Sequence, residues 1–392
     1  MSIDIQAMQT DLVTARVDGW LFYDFRGRDP IAQRILKLPE AMRTRRWFYF
    51  VPAKGASRKL VHKIEAQALE SLPGETFYYA GLQELERGLK KILGRAKNIA
   101  MQYSPKNAIP YISMVDAGTI EMVRGAGAKI VSSADLVQKY EACWTAAQLH
   151  SHEEAGRAID IIVRAAIQHA AECVHDGTRL TEYELKQWIQ GGFEAAGLHT
   201  EEGPDVAVNA HAGDPHYGPT AESAAPIRKD DLLLLDVWGK LKTPGSVYYD
   251  ITWVGYLGKK VPKKYAEVFS AVANARDKAV DLICSSVAAG DPLQGWQVDK
   301  AARTVIEKAG YGKYFFHRTG HNIGETVHGN GANMDGLETH DVRRLIPRTC
   351  TSIEPGIYLP QFGIRSEVNV YIEERSARVT GSVQKEVLAL LA

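Results

Sequence analysis

Five side chains in the second half of the sequence have the chemical types and local settings of one metal site. They are four carboxylates and one imidazole: Asp236, Asp250, His321, Glu354 and Glu367. Asp236 follows a run of leucines, and the other four lie in VYYDITW, TGHNIG, SIEPGIY and GIRSEV. Carboxylate and imidazole ligands favour Mn, Co or Zn over copper or an iron–sulfur cluster.

The charge of this set indicates two metal ions. Four carboxylates in one pocket repel one another and take up protons. Two divalent cations offset a charge of about −4 and allow all four groups to stay ionised. Carboxylates also bridge metal ions roughly 3.5–4 Å apart, which is the spacing that serves two-metal hydrolysis.

The two aspartates lie on apolar segments that we expect to pair as a β-hairpin. The segments 231–239 and 246–256 are joined by KLKTPGS, in which Pro244–Gly245 is a strong turn signal. A hairpin can put both carboxylates on one face of the sheet. Two ordinary aspartates beside a turn are the alternative interpretation.

Histidines are concentrated close to the proposed imidazole ligand. His317, His321 and His328 lie in HRTGHNIGETVH, among glycines that permit close backbone approach. This density favours a functional cluster, although any one of these histidines alone would be read as structural. His216 lies in a loop rich in Gly and Pro, where a single histidine is usually just solvated.

The last two carboxylates lie in strand-like sequence. Glu354 precedes Pro355–Gly356, and we expect it at the end of a strand. Arg365 and Glu367 are two residues apart, so on a strand they face the same side. A surface Arg–Glu ladder is the alternative for this pair.

Composition excludes several classes of protein. The chain has 392 residues, and its 47 Lys and Arg balance 47 Asp and Glu, so no global field favours nucleic acid or an anionic membrane. We expect no signal peptide at the N-terminus and find no apolar run near the roughly 20 residues of a membrane span. The four cysteines are scattered, which favours reduced thiols and a cytoplasmic location.

The pattern of the chain changes near residues 140–150. Before it, WLFYDF (20–25) and RWFYFV (46–51) read as strands that alternate with helices, typical of a small α/β domain. After it, a long helix is predicted to stop at Asp176–Gly177, and Thr181 and Glu184 form a capping box. Helices are also predicted over 262–289 and 294–309. We therefore assign residues 1–142 and 143–392 to two domains.

Taken together, these segments resemble the pita-bread metallopeptidases: aminopeptidase P, prolidase and methionine aminopeptidase. The resemblance covers roughly 145–392, and it rests on ligands in the order Asp, Asp, His, Glu, Glu. The first 140 or so residues resemble the creatinase-type domain of aminopeptidase P and prolidase. The resemblance implies an α+β fold, in which a pita-bread catalytic domain follows a smaller α/β creatinase-type N-terminal domain.

The resemblance also implies roles for the site residues. The five ligands would hold two divalent ions (Mn, Co or Zn) and a metal-bridging hydroxide that cleaves the Xaa-Pro bond of dipeptides or short peptides. Glu354 would carry the proton and His328 would stabilise the oxyanion. His216 and His317 would shape the pocket, and Arg365 would orient a ligand carboxylate or a substrate carboxylate. The N-terminal domain would cap the site or bring a dimer partner to it, and we expect a homodimer.

Three departures from the family pattern leave the substrate open. The two aspartates are fourteen positions apart, which makes the hairpin a few residues longer than usual. GHNIG replaces GHGIG, and Gly329 follows His328 where an acidic residue is common. The alternatives are a creatinase-like hydrolase or a carbon–sulfur lyase acting on a small non-peptide substrate, and a non-catalytic binding protein. Four unneutralised buried carboxylates argue against the last.

Overall fold

The structure is a computed structural model that describes residues 3–391. The chain divides into two compact units, Met1–Glu141 and Ala142–Ala392. Among the described residues, no helix combines the length and the apolar character needed to cross a membrane.

The first unit is built on one mixed sheet flanked by helices. Its helices and strands are α1 (Ile5–Thr14), β1 (Gly19–Asp24), α2 (Pro30–Ile35), β2 (Trp47–Pro52), β3 (Arg58–His62), β4 (Glu75–Tyr79), α3 (Leu82–Leu93), β5 (Asn98–Met101), α4 (Ala117–Gly125), β6 (Lys129–Ser132) and α5 (Ala134–Glu141). The strand order in the sheet is β4-β3-β2-β1-β5-β6. The two predicted aromatic strands are β1 and β2, and they pair antiparallel.

Both faces of this sheet are covered, which explains why the aromatic strands are apolar along their whole length. Trp20 and Phe22 of β1 belong to one buried cluster, whereas Leu21 and Tyr23 belong to another. Successive strand residues point to opposite faces, so each face of β1 packs against its own set of helices and loops. The resemblance of this unit to a creatinase-type domain stays a prediction.

The second unit contains long helices and several antiparallel strand pairs. Its helices and strands are α6 (Ala146–Asp176), α7 (Glu182–Ala195), β7 (Leu198–His199), β8 (Asp205–Val208), β9 (Leu232–Leu241), β10 (Tyr249–Tyr256), α8 (Lys263–Ala289), α9 (Gly295–Lys308), β11 (Asn322–Ile323), β12 (Cys350–Ile353), β13 (Gly356–Leu359), β14 (Phe362–Arg365), β15 (Val368–Ile372), β16 (Ala377–Thr380) and β17 (Leu388–Ala389). The predicted long helices are all present.

The helix ends follow the capping signals of the sequence. Helix α6 stops where Gly177 adopts a left-handed conformation with φ 72°, which glycine reaches without steric cost. Helix α7 starts at the predicted capping box, in which the Thr181 side chain accepts a hydrogen bond from the Glu184 backbone. The Glu184 carboxylate in turn accepts one from the Thr181 backbone.

The hairpin β9–β10 lies at the centre of the second unit. Leu233 and Leu235 of β9 belong to the buried cluster formed with α6 and α7. Leu232 and Leu234 belong to the other cluster, which includes α8 and α9. Buried apolar contacts therefore fix the β9–β10 strand pair, which carries Asp236 and Asp250, on both of its faces.

Candidate metal centre

The hairpin presents both aspartates on one face. In the β9–β10 register, Asp236 is opposite Thr252 and Asp250 is opposite Trp238. Positions 236 and 238, like 250 and 252, differ by two, so the two aspartates share a face. The prediction that the two segments pair as a hairpin with both aspartates on one face is confirmed. Leu234, two positions before Asp236, lies on the same face.

The second strand of the hairpin begins at Tyr249 rather than at the predicted position 246, so the loop between the strands is longer than expected. Pairing runs without a break from Gly239↔Tyr249 to Leu232↔Tyr256, so the length difference falls in residues 240–248. The second strand does not begin at 246, because the backbone there bonds elsewhere. Val247 N–H donates to Ser151 Oγ, and Tyr248 N–H donates to the Gly324 carbonyl.

His321 and Glu354 are joined by Ser352. The Ser352 hydroxyl accepts a hydrogen bond from the His321 backbone N–H at 2.9 Å and donates to Glu354 Oε1 at 3.1 Å. Gly320 permits this approach, because a Cβ atom there would lie 2.0 Å from the Ser352 carbonyl oxygen. Glu354 directly follows the strand β12, as the sequence indicates.

Glu367 reaches the site from a connection rather than from a strand. Strand β14 ends at Arg365 and β15 begins at Val368, so Arg365 and Glu367 do not lie on one strand and the strand alternation does not apply to them. Glu367 is nevertheless buried, and the Thr252 hydroxyl lies 2.8 Å from its Oε2 atom. The same hydroxyl lies 2.7 Å from Asp236 Oδ1.

The five side chains are linked by short contacts, and three of them form a compact buried group. His321 Nε2 lies 3.5 Å from Asp250 Oδ2 and 3.4 Å from Glu354 Oε1. Ligand atoms of Asp250, His321 and Glu367 all lie within 4.8 Å of one another. Asp236 joins them through the Thr252 hydroxyl that it shares with Glu367.

The donor set fits a divalent cation. His321 Nδ1 is 3.2 Å from the Asn322 carbonyl, which can only accept, so the ring's lone pair is on Nε2 and faces the carboxylates. Glu367 Oε1 is buried and has no hydrogen-bond partner among the described residues. A buried carboxylate oxygen without a donor is costly, and a cation would remove that cost.

The electrostatics of the carboxylate cluster point the same way. Burial raises the pKa of Asp250 well above its usual range, and Asp236 raises it further. Burial also raises the pKa of Glu367, to which Asp250 and Glu354 add. The pKa of Glu354 is raised by burial, although His321 and Arg365 oppose the shift. Positive charge in the centre of the cluster would oppose these shifts and favour the ionised carboxylates.

Arg365 is fully engaged with the chain itself. Its guanidinium forms an ion pair with Asp236, donates to the Thr252 hydroxyl at 3.0 Å, and donates to the Tyr358 hydroxyl at 3.2 Å. The side chain is buried. Arg365 therefore orients the ligand carboxylate of Asp236. The sequence analysis had offered either a ligand carboxylate or a substrate carboxylate as its partner.

His317 also has both ring nitrogens occupied. Its Nδ1 lies 2.6 Å from the Arg318 carbonyl, so Nδ1 carries the proton, and Nε2 accepts from the Tyr358 hydroxyl at 2.8 Å. Burial, helped by the charge of Arg365, lowers the pKa of His317 to about 3. The imidazole is therefore neutral and fixed, and it links Tyr358 to the loop before His321.

His328 and His216 are the exposed histidines of the site. The His328 ring packs edge-on against His321, with 4.3 Å between ring centroids. The proximity of His321, followed by partial loss of hydration of the ring, lowers the pKa of His328 to about 2. Both rings are open to solvent.

Three contributing residues were missed in the sequence. Thr252 could have been found, because it is two positions from Asp250 and must share its face. Asp205 is opposite Asp236 in the β8–β9 register, and burial, together with Asp236, raises the pKa of Asp205 to about 6. No local pattern marks Asp205 or Tyr358, because their partners come from distant segments.

Comparison with known proteins identifies the family and the fold. Residues 151–374 match the model of metallopeptidase family M24. An uncharacterized peptidase of Schizosaccharomyces pombe is 31% identical over 222 residues, which is 53% of this chain and 44% of that protein. An Xaa-Pro dipeptidase of Lactobacillus helveticus is 33% identical over 187 residues, covering 47% of this chain and 45% of the relative. The chain thus spans about half the length of these curated relatives.

The fold is shared over nearly the whole chain. The crystal structure of dipeptidase PepE from Mycobacterium ulcerans superposes with a TM-score of 0.70 at 22% identity, covering 98% of this chain and 96% of that one. The expected α+β pita-bread fold is confirmed by this match and by the family model. Because the family model covers more than half of the sequence and includes all five candidate ligands, the chain belongs to metallopeptidase family M24.

Proposed function

We propose that this chain is a metal-dependent peptidase that hydrolyses the Xaa-Pro bond of dipeptides or short peptides. The observation that carries the proposal is the buried group of Asp250, His321 and Glu367, whose ligand atoms lie within 4.8 Å of one another. Glu354 contacts this group through His321, and Asp236 shares the Thr252 hydroxyl with Glu367. The relative from Lactobacillus helveticus, described as an Xaa-Pro dipeptidase, supports the choice of substrate. A homodimer and a cytoplasmic location stay predictions.

The ligand set suits two divalent ions, with Mn, Co or Zn as candidates. Asp236, Asp250, His321, Glu354 and Glu367 would hold them. When bound, the ions would polarise the scissile carbonyl and make a water nucleophilic near neutral pH. Everything else in the reaction falls to side chains of this chain.

Glu354 is suited to move the proton. Its side chain is 15% exposed, whereas that of His321 is 4% exposed, so Glu354 lies at the accessible side of the cluster. The Ser352 hydroxyl holds Oε1, so the carboxylate keeps one orientation. A carboxylate fixed there can take a proton from the attacking water and give it to the leaving nitrogen.

His328 and His216 are the side chains we assign to the substrate. Both are exposed, and His328 contacts the ligand His321. A neutral His328 can donate one hydrogen bond to the oxyanion of the tetrahedral intermediate. His317 and Arg365 have different tasks, because their polar atoms are already bonded to Tyr358 and Asp236. They are positioning residues.

A panel of peptides tests the proposal. Ala-Pro, Ala-Pro-Ala and Ala-Ala are offered to the chain loaded with Mn, Co or Zn, and kcat/KM is measured for each. The proposal expects the proline peptides to be preferred over Ala-Ala. Comparable kcat/KM for Ala-Pro and Ala-Ala would reject the preference for proline. No peptide hydrolysis with any of the three metals would reject the peptidase activity and favour a small non-peptide substrate.

A further inference from the structure

A second buried carboxylate lies outside the ligand set. Glu182 is the first residue of α7, and its side chain is 0% exposed. In the sequence it is merely the residue after the N-cap Thr181, where an acidic side chain ordinarily interacts with the positive end of the helix dipole. Here it points into the protein and gathers donors from one distant segment.

All side-chain partners of Glu182 come from residues 208–225. Oε1 accepts from the Val208 backbone N–H at 2.8 Å, and Oε2 accepts from the Ala225 N–H at 2.7 Å. The Tyr217 hydroxyl donates to Oε2 at 2.7 Å, and His211 Nδ1 lies 3.0 Å from both oxygens. One carboxylate thus binds both ends and the middle of this segment, which we call the His216 loop (residues 208–225).

The chemistry of these contacts requires an acceptor at both oxygens. Backbone N–H groups and the tyrosine hydroxyl approach Oε1 and Oε2 as donors, and a carboxylate accepts at both positions. An amide in the same place would direct its NH2 group at either Val208 N–H or Ala225 N–H. One buried donor would then lose its acceptor.

The far side of the His216 loop is held as well. A Cβ atom on Gly363 would lie 1.7 Å from the Ala212 carbonyl oxygen, so the loop backbone packs directly on strand β14. A Cβ on Gly213 would lie 2.7 Å from the Leu359 carbonyl oxygen. Strand β14 ends at Arg365, which binds Asp236. The His216 loop is therefore fixed between Glu182 on one side and the β13–β14 strand pair, which carries Arg365, on the other.

We propose that Glu182 is a positioning residue that holds His216 towards the substrate. His216 is exposed and adjacent to Tyr217, which donates to Glu182, and its loop packs on the strand that ends at Arg365. Its own backbone N–H is bound by Asp214, within the same loop. The inference rests on the proposed function, because it assigns His216 to the substrate. Glu182 itself lies on α7, and in this proposal it acts on the substrate only through His216.

The test compares Glu182→Gln with Glu184→Gln on the same helix. Glu184 is exposed and belongs to the capping box, in which glutamine serves as well as glutamate. We expect Glu182→Gln to lower kcat/KM for Ala-Pro by about 10- to 100-fold, the scale of a displaced substrate contact. We expect Glu184→Gln to match the wild type. Metal content should be the same in all three proteins.

A double-mutant cycle separates positioning from general damage. If Glu182 acts through His216, Glu182→Gln will cost little when His216 is already alanine, so the two effects are not additive. Additive losses, or a Glu182→Gln variant with wild-type kcat/KM, would overturn the inference while the peptidase function stands.

Hydrogen exchange gives a readout that does not depend on activity. Either the Val208 amide or the Ala225 amide should exchange faster in Glu182→Gln than in Glu184→Gln, because one of the two loses its acceptor. Equal exchange in the two variants would overturn the inference. A wild-type chain that cleaves no peptide would instead overturn the proposed function, and the exchange result would still report on the loop.

Discussion

Asp236 and Asp250 stand diagonally across two paired strands: Asp236 faces Thr252, and Asp250 faces Trp238. A shift of register by one residue would turn one aspartate to the opposite face. The pairing around both residues is unbroken, so the extra length of the hairpin lies outside it, in residues 240–248. The register that places the two aspartates is therefore set by the paired residues and not by the loop.

Shortening the hairpin loop should leave the metal site intact. Lys242, Thr243 and Pro244 are exposed and lie beyond the last β9–β10 pair. Loop closure entropy changes only logarithmically with length, so deleting these three residues should cost little stability. We expect unchanged metal content, measured by elemental analysis of the purified protein. A folded deletion variant that binds no metal would contradict this expectation.

Glu354→Gln should abolish turnover. The substitution removes a ligand charge and the proposed proton carrier, while the Ser352 hydroxyl can still donate to the remaining carbonyl oxygen. We expect a loss of at least about 100-fold in kcat on Ala-Pro, the scale of general acid–base catalysis. The assay is run at saturating metal. Activity near that of the wild type in a metal-replete variant would show that Glu354 does not carry the proton.

Thr252→Val should weaken metal binding. The hydroxyl contacts Asp236 and Glu367 and accepts from Arg365 Nε at 3.0 Å. Valine has the same shape but leaves these groups without their common partner. Loss of such a supporting contact costs about 10- to 100-fold in metal affinity. Competition with a chelating dye measures it, and Thr252→Ser is the matched control. Equal affinity in the valine and serine variants would exclude this role.

Asp29 should make the wild type lose stability as the pH rises. It is the buried N-cap of α2, where Oδ1 accepts from Ala32 N–H at 2.8 Å. Burial raises its pKa to about 7, whereas an unfolded chain has an ordinary value of about 4. Between these values the folded state holds a proton that the unfolded state has lost, so the contribution of Asp29 to stability falls across this window.

Asp29→Asn keeps the capping oxygen and does not titrate. The free energy of unfolding of the variant, minus that of the wild type, should therefore be larger at about pH 8 than at about pH 5. Urea unfolding at the two pH values measures the difference. Asp4→Asn, at the exposed N-cap of α1, is the control. A difference between Asp29→Asn and wild type that is the same at both pH values would contradict the assignment.

Features encoded by local spacing could be predicted from the sequence. The turn at Pro244–Gly245 and the alternation of strand residues predict that Asp236 and Asp250 share a face, and the capping residue Thr181 predicts the start of α7. The five candidate ligands follow from residue type and motif. These predictions need only neighbours along the chain.

Features that depend on distant partners could not be predicted. The burial of Glu182 depends on donors from 208–225, and nothing beside it in the sequence marks it. His317 was predicted to shape the pocket, but its bonds to Tyr358 and to a backbone carbonyl could not be predicted from its neighbours in the sequence. Arg365 and Glu367 meet the site although no common strand joins them.

The most direct test of the central claim is a metal titration of activity. The chain is stripped with a chelator, Mn is added back stepwise, and Ala-Pro hydrolysis is followed with Ala-Ala as the comparison. The five-ligand centre predicts that activity on Ala-Pro rises to a plateau at about two metal equivalents per chain and stays well above activity on Ala-Ala. Activity that survives complete removal of metal, or equal hydrolysis of the two peptides at every step, would contradict it.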